Sequence, residues 1–504
     1  MDDLTVIVLA AGGGTRMKSK TAKVLHPIAG LSMVGHVLRA VRSLEPATVV
    51  AVVGHQREQV APHIEAELPG VVVAVQESQE GTGHAVRIAW EALPEERRRG
   101  TVLVAYGDTP LLEGPSLSAF LDHHATSGDA ISILSGRVSD PFGYGRVIRD
   151  ADGGVNAIVE QKEATPEQAA VDEINSGILA FEGDFLAQAL GRLDNDNAQK
   201  EYYLTDTVAI ARKVGRNVGA FELADVLQTE GANDRIQLAK LAAEKNRRIL
   251  EGWMREGVTI IDPATTWVDV DVTLAADVTL LPGVQLLGTT AVEEDAVIGP
   301  DCTLKDCEIG AGAKIVRAHG ELAVIGEGAD IGPFSYLRPG TQLGAGGKIG
   351  AFVETKNAQI GNGAKVPHLS YVGDAEIGEG SNIGAGAIFA NYDGVNKNRS
   401  KVGRHVKTGV HNSFVAPVVL GDGAATGAGA VIRSDVPPGA LAVSSPPQRH
   451  YDEWAQRRRA GTPQAEAAQA ASACENQAGP GSGPGSGTEV GTDDGSARAD
   501  QREE

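Results

Sequence analysis

The chain is poor in cysteine, aromatic residues and long apolar runs. Only 3 of its 504 residues are cysteine, and aromatic residues make up 4%. An odd number of thiols without metal-binding spacing argues against a disulfide framework and predicts free thiols in a reducing compartment. No apolar run approaches the roughly 20 residues that a membrane-spanning helix needs. The sequence therefore predicts a cytoplasmic protein without a membrane segment.

Positive charge is scarce as well. The chain has 45 lysines and arginines against 66 acidic residues, which gives a formal net charge of −21. Such a balance argues against a general nucleic-acid or membrane-surface binder. Met1-Asp2-Asp3 also lacks the basic start of a secretory signal. A length of 504 residues predicts two or three structural units rather than one compact core.

The C-terminal half carries apolar residues at intervals of six. Such residues are followed in many cases by glycine or another small residue, which suits a tight corner. A six-residue period fits neither an amphipathic helix nor an ordinary strand. It predicts a parallel β-helix of the left-handed hexapeptide-repeat type, which buries its core by stacking coils. Two in-phase runs carry the signal: Ile325, Ile331, Leu337, Leu343 and Ile349, then Val402, Thr408, Phe414, Leu420, Thr426 and Ile432.

The pattern before this repeat is different. Apolar strand-like runs such as Thr5–Leu9, Thr48–Val53 and Thr101–Ala105 alternate with amphipathic stretches. This alternation predicts an α/β domain with a mostly parallel, Rossmann-like sheet. We predict four regions: an α/β domain over 1–232, a linker helix over 233–256, the β-helix over 257–456 and a disordered low-complexity tail over 457–504.

Two features of the α/β half indicate phosphate chemistry. The first strand runs into Gly12-Gly13-Gly14, whose backbone amides can approach an anion, and the cations Arg16 and Lys23 follow. A plain tight turn explains the glycines equally well, but it does not explain the cations. Asp108 ends another apolar run, where a carboxylate can hold Mg²⁺ beside a nucleotide. As an alternative, Asp108 caps the next helix.

The motifs together resemble a known family. LAAGGGTRM, the Gln76 and Gly81-Thr82 region, Tyr106-Gly107-Asp108 and Glu230-Gly231-Ala232-Asn233 occur in the order found in sugar-nucleotide pyrophosphorylases. Joined to a hexapeptide β-helix, they resemble the bacterial bifunctional N-acetylglucosamine-1-phosphate uridyltransferase/glucosamine-1-phosphate acetyltransferase family over about residues 4–450. That family makes UDP-N-acetylglucosamine, a precursor of peptidoglycan and lipopolysaccharide.

The resemblance implies a UTP-dependent site in the α/β domain. Asp108 and Asn233 would bind Mg²⁺, while N-acetylglucosamine-1-phosphate attacks UTP and releases pyrophosphate. The residues implied to contact the nucleotide, its phosphates or the amino sugar are Leu9, Ala10, Ala11, Gly12, Arg16, Lys23, Gln76, Gly81, Thr82, Tyr106, Gly107, Asp108, Gly145, Glu160, Asn175 and Asn233.

The resemblance also implies an acetyl-CoA-dependent site in the β-helix. His368 would be the general base that deprotonates the amine of glucosamine-1-phosphate, and Glu354 would orient its ring. Without the resemblance, a lone histidine in a repeat protein is more often structural. The implied sugar-phosphate residues are Arg338, Glu354, Lys356, Tyr371, Asn382 and Lys397, and the implied acetyl-CoA contacts are Ala385, Asn391, Tyr392, Val410 and Ala428.

Two positions depart from the family pattern. Val410-His411 stands where the family usually has Ser-Asp, and Ser445 stands where some members have arginine. The family also forms homotrimers, which the resemblance implies here. Two alternatives share part of the pattern: a monofunctional sugar-1-phosphate nucleotidyltransferase with a regulatory β-helix, and a non-enzymatic scaffold. Neither alternative accounts for both groups of site residues.

Overall fold

The computed structural model describes residues 3–151, 153–197, 199–444 and 448–477, with side chains described as far as residue 474. Residues up to 444 form one compact unit, and the segment from 448 belongs to a second unit. Within these described ranges, no helix is both long and apolar enough to cross a membrane. Ser445 lies outside the described residues.

The α/β domain is built on a nine-stranded sheet. Its central strands are almost wholly buried because their β-branched and aliphatic residues lie between helices on both faces. The strands, including a small separate hairpin (β2 and β3), are β1 Leu4–Ala10, β2 Pro27–Ile28, β3 Leu31–Ser32, β4 Thr48–Val53, β5 Val72–Val75, β6 Thr101–Tyr106, β7 Ile131–Arg137, β8 Gly145–Arg149, β9 Val155–Val159, β10 Glu173–Glu182 and β11 Val218–Glu222.

The sheet order places the ends of the first strands together. The order is β11-β7-β10-β6-β1-β4-β5, with β8 and β9 attached to β10, and β1 pairs in parallel with both β4 and β6. Strand β10 runs antiparallel to its neighbours. The helices are α1 Met33–Arg42, α2 Arg57–Glu67, α3 Thr82–Ala92, α4 Gly114–Ser127, α5 Pro166–Ala169, α6 Gly183–Leu190, α7 Asp206–Lys213 and α8 Arg235–Arg255.

Helix α8 connects the sheet domain to the repeat. It spans 21 residues, and the side chain of Asp234 caps its N-terminus by accepting from the amides of Ile236 and Gln237. Short turns of 3-10 helix over Thr15–Met17, Lys23–Leu25, Glu95–Arg97 and Val226–Thr229 complete this half. The bounds fit the proposed division at residues 232 and 256, which stays a prediction.

The C-terminal half is a stack of short parallel strands. Thr279 pairs with Val297, eighteen residues later, so one coil contains three six-residue repeats and the cross-section has three faces. The strands are β12 Thr259–Ile260, β13 Trp267–Val268, β14 Thr273–Leu274, β15 Thr279–Leu280, β16 Gln285–Leu287, β17 Ala291–Val292, β18 Val297–Ile298, β19 Thr303–Lys305, β20 Glu308–Ile309, β21 Lys314–Ile315, β22 Ala318–Glu321, β23 Val324–Ile325, β24 Asp330–Ile331, β25 Ser335–Leu337, β26 Gln342–Leu343, β27 Lys348–Ala351, β28 Glu354–Ile360, β29 Lys365–His368, β30 Tyr371–Ile377, β31 Ile388–Ala390, β32 Ser400–Val402, β33 Ser413–Val415, β34 Val418–Leu420, β35 Ala425–Thr426, β36 Val431–Ile432 and β37 Leu441–Ala442.

The six-residue grid is the core of this stack. All eleven residues of the two runs are buried, from Leu337 at 0% exposure to Thr408 at 8%. The predicted fold class, an α/β domain followed by a parallel β-helix, is therefore confirmed. The six-residue grid slips by one residue within β28. Leu337 pairs with Thr355, eighteen residues later, but Leu343 pairs with Ile360, seventeen residues later, so this coil is one residue short.

Two further details concern the second half. The segment from Asn391 to Arg399 is a true insertion, because Ile377 pairs with Val402 rather than with a residue about eighteen positions later. The predicted disordered tail is wrong for its first part: α9 Trp454–Arg458 and α10 Pro463–Gln477 are helical. Alanine and glutamine favour helix over the α10 segment, and Pro463 suits a first helical position. The tail beyond residue 477 lies outside the described residues.

Candidate functional sites

The first site lies beyond the carboxyl ends of β1 and β6, where an open α/β sheet binds ligands. The glycine turn after β1 forms one wall of a cavity of about 390 Å³. Gln79 Nε2 donates to the Ala11 carbonyl at 2.6 Å and fixes this turn. Eleven of the predicted residues line the cavity: Leu9, Ala10, Ala11, Gly12, Lys23, Gln76, Gly81, Thr82, Tyr106, Asp108 and Asn233.

A second cavity of about 330 Å³ adjoins the first. Its lining includes the predicted sugar contacts Gly145, Glu160 and Asn175. Burial raises the pKa of the Glu160 carboxyl, although a hydrogen bond from Thr205 opposes this shift. Asn175 Oδ1 accepts from the Gly177 amide at 3.0 Å, which holds its side chain at the wall.

The two cavities share a boundary. Five residues belong to both linings: Thr82, Tyr106, Asp108, Glu201 and Asn233. The predicted metal ligands are therefore placed where a ligand in one cavity meets a ligand in the other. Burial raises the pKa of the Tyr106 hydroxyl, so that ring stays neutral at this boundary.

Lys23 joins the two predicted metal ligands. Its ammonium lies 2.5 Å from Asp108 Oδ2 and 2.7 Å from Asn233 Oδ1. The side chains of Lys23 and Asp108 are 12% and 19% exposed, so solvent screens this pair only weakly. Asp108 does not cap a helix, because α4 starts at Gly114 with Glu113 at its cap position.

Two predicted residues are not in the cavity walls. Arg16 is exposed on the 3-10 turn over Thr15–Met17. Gly107 is buried, and its amide donates to the Leu9 carbonyl at 2.9 Å, which ties β6 to β1. The sequence prediction also missed lining residues, including Val24, Gln79, Ala85 and Glu201. Gln79 and Glu201 are polar residues close to recognised motifs, and that proximity is the signal that could have found them.

The second site lies at one corner of the β-helix. His368 ends β29 and is exposed, and Tyr371 begins the next face three residues later. Within the described residues the His368 ring makes no hydrogen bond. Glu354 does not orient it: the Glu354 carboxylate instead accepts from Arg338 Nη1 at 2.9 Å. That pairing raises the pKa of Arg338.

Four predicted residues, His368, Ala385, Val410 and Ala428, form a column at this corner. Their register follows from the residues three positions earlier. Lys365, Asn382, Lys407 and Ala425 pair in register on successive coils. Three residues further along each coil stand His368, Ala385, Val410 and Ala428, so these also lie in register. Neighbouring coils are about 4.8 Å apart, and the column therefore runs along the β-helix axis. Asn382 lies three residues before this column, about 10 Å away along the face.

Basic residues cluster on the adjoining face. Lys356 follows Glu354 on β28, and the register of β25 and β28 sets Arg338 beside it. Lys397, from the inserted segment, lowers the pKa of the Lys356 ammonium, first through a side-chain hydrogen bond and then through its like charge. Two adjacent ammonium groups with a nearby guanidinium form a site for an anion.

The inserted segment is fixed by a carboxylate that the sequence prediction missed. Asp374 accepts from the side chains of Asn391 and Asn357, the latter at 2.8 Å. Burial alone would raise the pKa of Asp374, but these hydrogen bonds and nearby lysines lower it below its ordinary value. Tyr392 is 59% exposed, and its hydroxyl donates to the Gly394 carbonyl.

At the departure from the family pattern, Val410 is 45% exposed. Its carbonyl accepts from the Gly429 amide and the Asn412 side chain. His411 packs over the preceding coil, since a β-carbon at Gly386 would lie 2.8 Å from His411 Nδ1. The aliphatic residue thus replaces a hydroxyl on the exposed column.

Comparisons with known proteins cover both halves of the chain. Residues 6–160 match the MobA-like NTP transferase domain. Over 473 residues the chain is 58% identical to the bifunctional protein GlmU of Rhodococcus opacus, covering 92% of this chain and 94% of that protein.

Two further GlmU proteins extend this similarity. The protein of Kineococcus radiotolerans is 58% identical over 93% of this chain and 95% of its own length. That of Mycobacterium ulcerans is 52% identical over 94% of this chain and 96% of its own length. The resemblance drawn from the motifs is confirmed: the chain belongs to the family of bifunctional GlmU proteins.

Proposed function

We propose that the chain makes UDP-N-acetylglucosamine in two steps, one at each site. The β-helix site transfers the acetyl group of acetyl-CoA to glucosamine-1-phosphate. The α/β site then transfers the uridylyl group of UTP to N-acetylglucosamine-1-phosphate and releases pyrophosphate. The observation that carries the uridyltransferase half is the boundary between the two cavities, where Lys23, Asp108 and Asn233 meet.

In the uridyl step, a phosphate oxygen of the sugar phosphate attacks the α-phosphorus of UTP in line, and the bond to the β-phosphate oxygen breaks. No protein nucleophile is needed, so the residues act by positioning and by neutralising charge. The nucleotide occupies the cavity behind the glycine turn, and the amino sugar occupies the cavity of Glu160 and Asn175. Their phosphates meet at Asp108 and Asn233.

The donor groups at this boundary fit magnesium. Asp108 supplies a carboxylate and Asn233 an amide oxygen, and Mg²⁺ commonly takes one or two protein oxygens together with substrate phosphates. When bound, the metal neutralises phosphate charge and helps the pyrophosphate leave. Among the described residues, no group of three or more acidic, cysteine or histidine side chains offers an all-protein metal cage. Lys23, which holds both ligands in this structure, adds a positive charge to the same boundary.

In the acetyl step, the amine of glucosamine-1-phosphate attacks the thioester carbonyl of acetyl-CoA. His368 accepts the proton that the amine loses, the carbon–sulfur bond breaks, and CoA leaves as the thiol after protonation. Arg338, Lys356 and Lys397 bind the sugar phosphate. The column of Ala385, Val410 and Ala428 accommodates acetyl-CoA, because an elongated ligand fits a row of small and apolar residues beside the base. Asn391 and Tyr392 border it from the inserted segment, and Asn382 lies about 10 Å before it on the same face, on the side of the sugar.

We further propose a homotrimer. An exposed ridge of three apolar side chains supports it: Phe334, Phe352 and Leu369 are 56%, 58% and 62% exposed on successive coils beside His368. The Phe334 and Phe352 rings stack at 5.2 Å. A contiguous apolar ridge of this kind is typical of an interface. Sedimentation should then give three times the chain mass of 52.3 kDa; a monomer mass would contradict the proposal.

One assay tests both steps. Purified protein receives glucosamine-1-phosphate, acetyl-CoA, UTP and Mg²⁺, and the release of CoA and of pyrophosphate is followed separately. We expect both products. A second reaction, with N-acetylglucosamine-1-phosphate added, separates the steps. Pyrophosphate release there, without any CoA release from glucosamine-1-phosphate, would favour the monofunctional alternative. The predicted location in the cytoplasm remains a prediction from composition.

A further inference from the structure

Lys23, Asp108 and Asn233 meet at the cavity boundary, and each lies close in sequence to a residue of one small hydrophobic cluster. Ile28, Met33, Leu111, Ala232 and Leu241 form a hydrophobic cluster separate from the main cores of the sheet domain, and all five are at most 4% exposed. Ile28 lies five residues after Lys23, Leu111 three after Asp108, and Ala232 directly before Asn233. The packing of this cluster therefore sets the distances among the three groups.

Two elements of this cluster are attached to one segment of the first coil of the β-helix, residues Thr266–Asp271. The hairpin turn between β2 and β3 reaches it, because the Val270 amide donates to the Ala29 carbonyl at 3.0 Å. Gly30, with φ of +82°, approaches so closely that a β-carbon there would lie 2.7 Å from the Asp269 carboxylate. Only glycine satisfies both conditions at this position.

An ion pair strengthens the same attachment. Arg39 of α1 donates to both carboxylate oxygens of Asp271, at 2.7 and 2.8 Å. The hydrogen bond to Asp271 raises the pKa of Arg39, and the hydrogen bond from Arg39 lowers the pKa of Asp271. Both side chains are nearly half exposed, so the pair contributes little to stability and its value lies in the bidentate geometry.

Helix α8 is attached to this coil by a buried amide. Asn246, 5% exposed, donates from Nδ2 to the Thr266 carbonyl at 2.7 Å and accepts from the Val268 amide at 3.0 Å. Helix α8 begins two residues after Asn233, so about 16 Å of continuous helix, from Arg235 to Asn246, joins this contact to the cavity boundary. The first coil thus holds both the hairpin that follows Lys23 and the helix that follows Asn233.

We infer that the first coil of the β-helix is a brace for uridyl transfer, with Asn246, Arg39 and Asp271 as positioning residues. The inference rests on the proposed function of the α/β site. It assigns part of the acetyltransferase domain a role in the other reaction: the coil fixes Lys23 relative to Asn233, and small misplacements of such groups reduce turnover strongly.

The full-length chain carries the test. Asp271→Arg should reduce kcat for uridyl transfer about threefold or more, with the KM for UTP changed less than about twofold. Adding Arg39→Asp restores the pair with reversed charges and should recover the rate. Asn246→Ala should show the same loss. Acetyl transfer should stay at the wild-type rate in all variants. Glu321→Lys, which breaks the exposed pair with Lys305 in a later coil, is the matched control.

Hydrogen exchange gives a readout independent of activity. Backbone amides of residues 23–32 and 228–236 should exchange faster in Asp271→Arg, and the double variant should return them to the wild-type rate. Unchanged exchange and unchanged uridyl kcat in Asp271→Arg and Asn246→Ala would overturn the brace. If hydrogen exchange changes as expected but the wild-type protein transfers no uridylyl group, the proposed function is refuted, whereas the structural role of the first coil is supported.

Discussion

The two sites differ in how much of each is supplied by one chain. At the α/β site, the walls enclose two cavities and the charged groups already contact one another, with Lys23 only 12% exposed. At the β-helix site, His368, Lys397 and Tyr392 stand on the surface, and an apolar ridge runs beside them. The first site is organised by tertiary packing, and the second by the register of a repeat. A repeat places residues in rows but does not enclose them, so the second site is open on the surface of a single chain.

The strongest test of this difference removes the carboxylate at the enclosed site. Asp108→Ala should reduce uridyl transfer by about 10³-fold, because the boundary loses the anionic one of its two proposed metal ligands and the partner of Lys23. Initial rates of pyrophosphate release at saturating Mg²⁺ measure this. Acetyl transfer is the internal control and should be unchanged. A rate near that of the wild type would show that Asp108 serves only the fold.

The corresponding test at the open site removes the proposed base. His368→Ala should reduce acetyl transfer by ~10²–10⁴-fold, the usual contribution of a general base. Because the ring is exposed and makes no hydrogen bond within the described residues, the melting temperature should not change. CoA release and thermal unfolding, measured on one preparation, check both points. A parallel loss of uridyl transfer would instead indicate misfolding.

A smaller effect is expected where the open site departs from its family. Val410 cannot form a side-chain hydrogen bond, so Val410→Ser should restore one to acetyl-CoA, worth about 0.5–1.5 kcal/mol. The KM for acetyl-CoA should fall roughly threefold to tenfold, and the KM for UTP should stay constant. An unchanged or higher KM for acetyl-CoA would show that the ligand does not pass along the column at this coil.

The smallest effect concerns the free energy of unfolding of the α/β domain, which holds the enclosed site. Burial raises the pKa of Asp206 to about 6, helped by Asp194, Glu163 and Glu160. A raised carboxyl pKa means that the fold favours the protonated form, so this contribution is complete below about pH 4 and is lost as the pH rises through 6.

A neutral side chain in place of Asp206 does not ionise, so it removes the loss of stability at higher pH. Asp206→Asn should match the wild type near pH 4 and melt a few degrees higher near pH 7. The gain should be below about 1 kcal/mol, because the half-buried group is partly screened by solvent. Thermal unfolding at the two pH values measures it. An equal shift at both pH values would exclude titration of Asp206 as the cause.

The sequence predicted the periodic parts of the molecule well. Six-residue spacing identified the buried residues of the β-helix because one inward side chain per face is a local rule, repeated at every coil. Strand β4 was likewise predicted with its observed bounds, Thr48–Val53. The helical segment of the tail was missed, because the low-complexity composition after residue 477 was used to predict disorder for the preceding residues as well. Those residues are rich in alanine and have strong helix propensity.

The contacts at the sites were less predictable. Lys23 and Asn233 are 210 residues apart in the chain, and only the packing of helix and hairpin brings both to Asp108. Glu354 was expected beside His368, but in the register of the coils it lies within reach of Arg338. Arg16 and Gly107 belong to the right motifs yet lie outside the cavity walls. Spacing along the chain identifies which motif is present, whereas tertiary register decides which members of it reach a ligand.

The amide of Asn246 has a consequence for solubility. A stack of parallel strands has two ends, and each end exposes unpaired backbone groups to which another chain can add. At the first coil, Asn246 donates to the Thr266 carbonyl and accepts from the Val268 amide, as a neighbouring strand would do. Helix α8 therefore closes the end of the stack with a side chain in place of a strand. Without that amide, the Thr266 carbonyl and the Val268 amide would stand unpaired at this end of the stack, as at the edge of an open sheet.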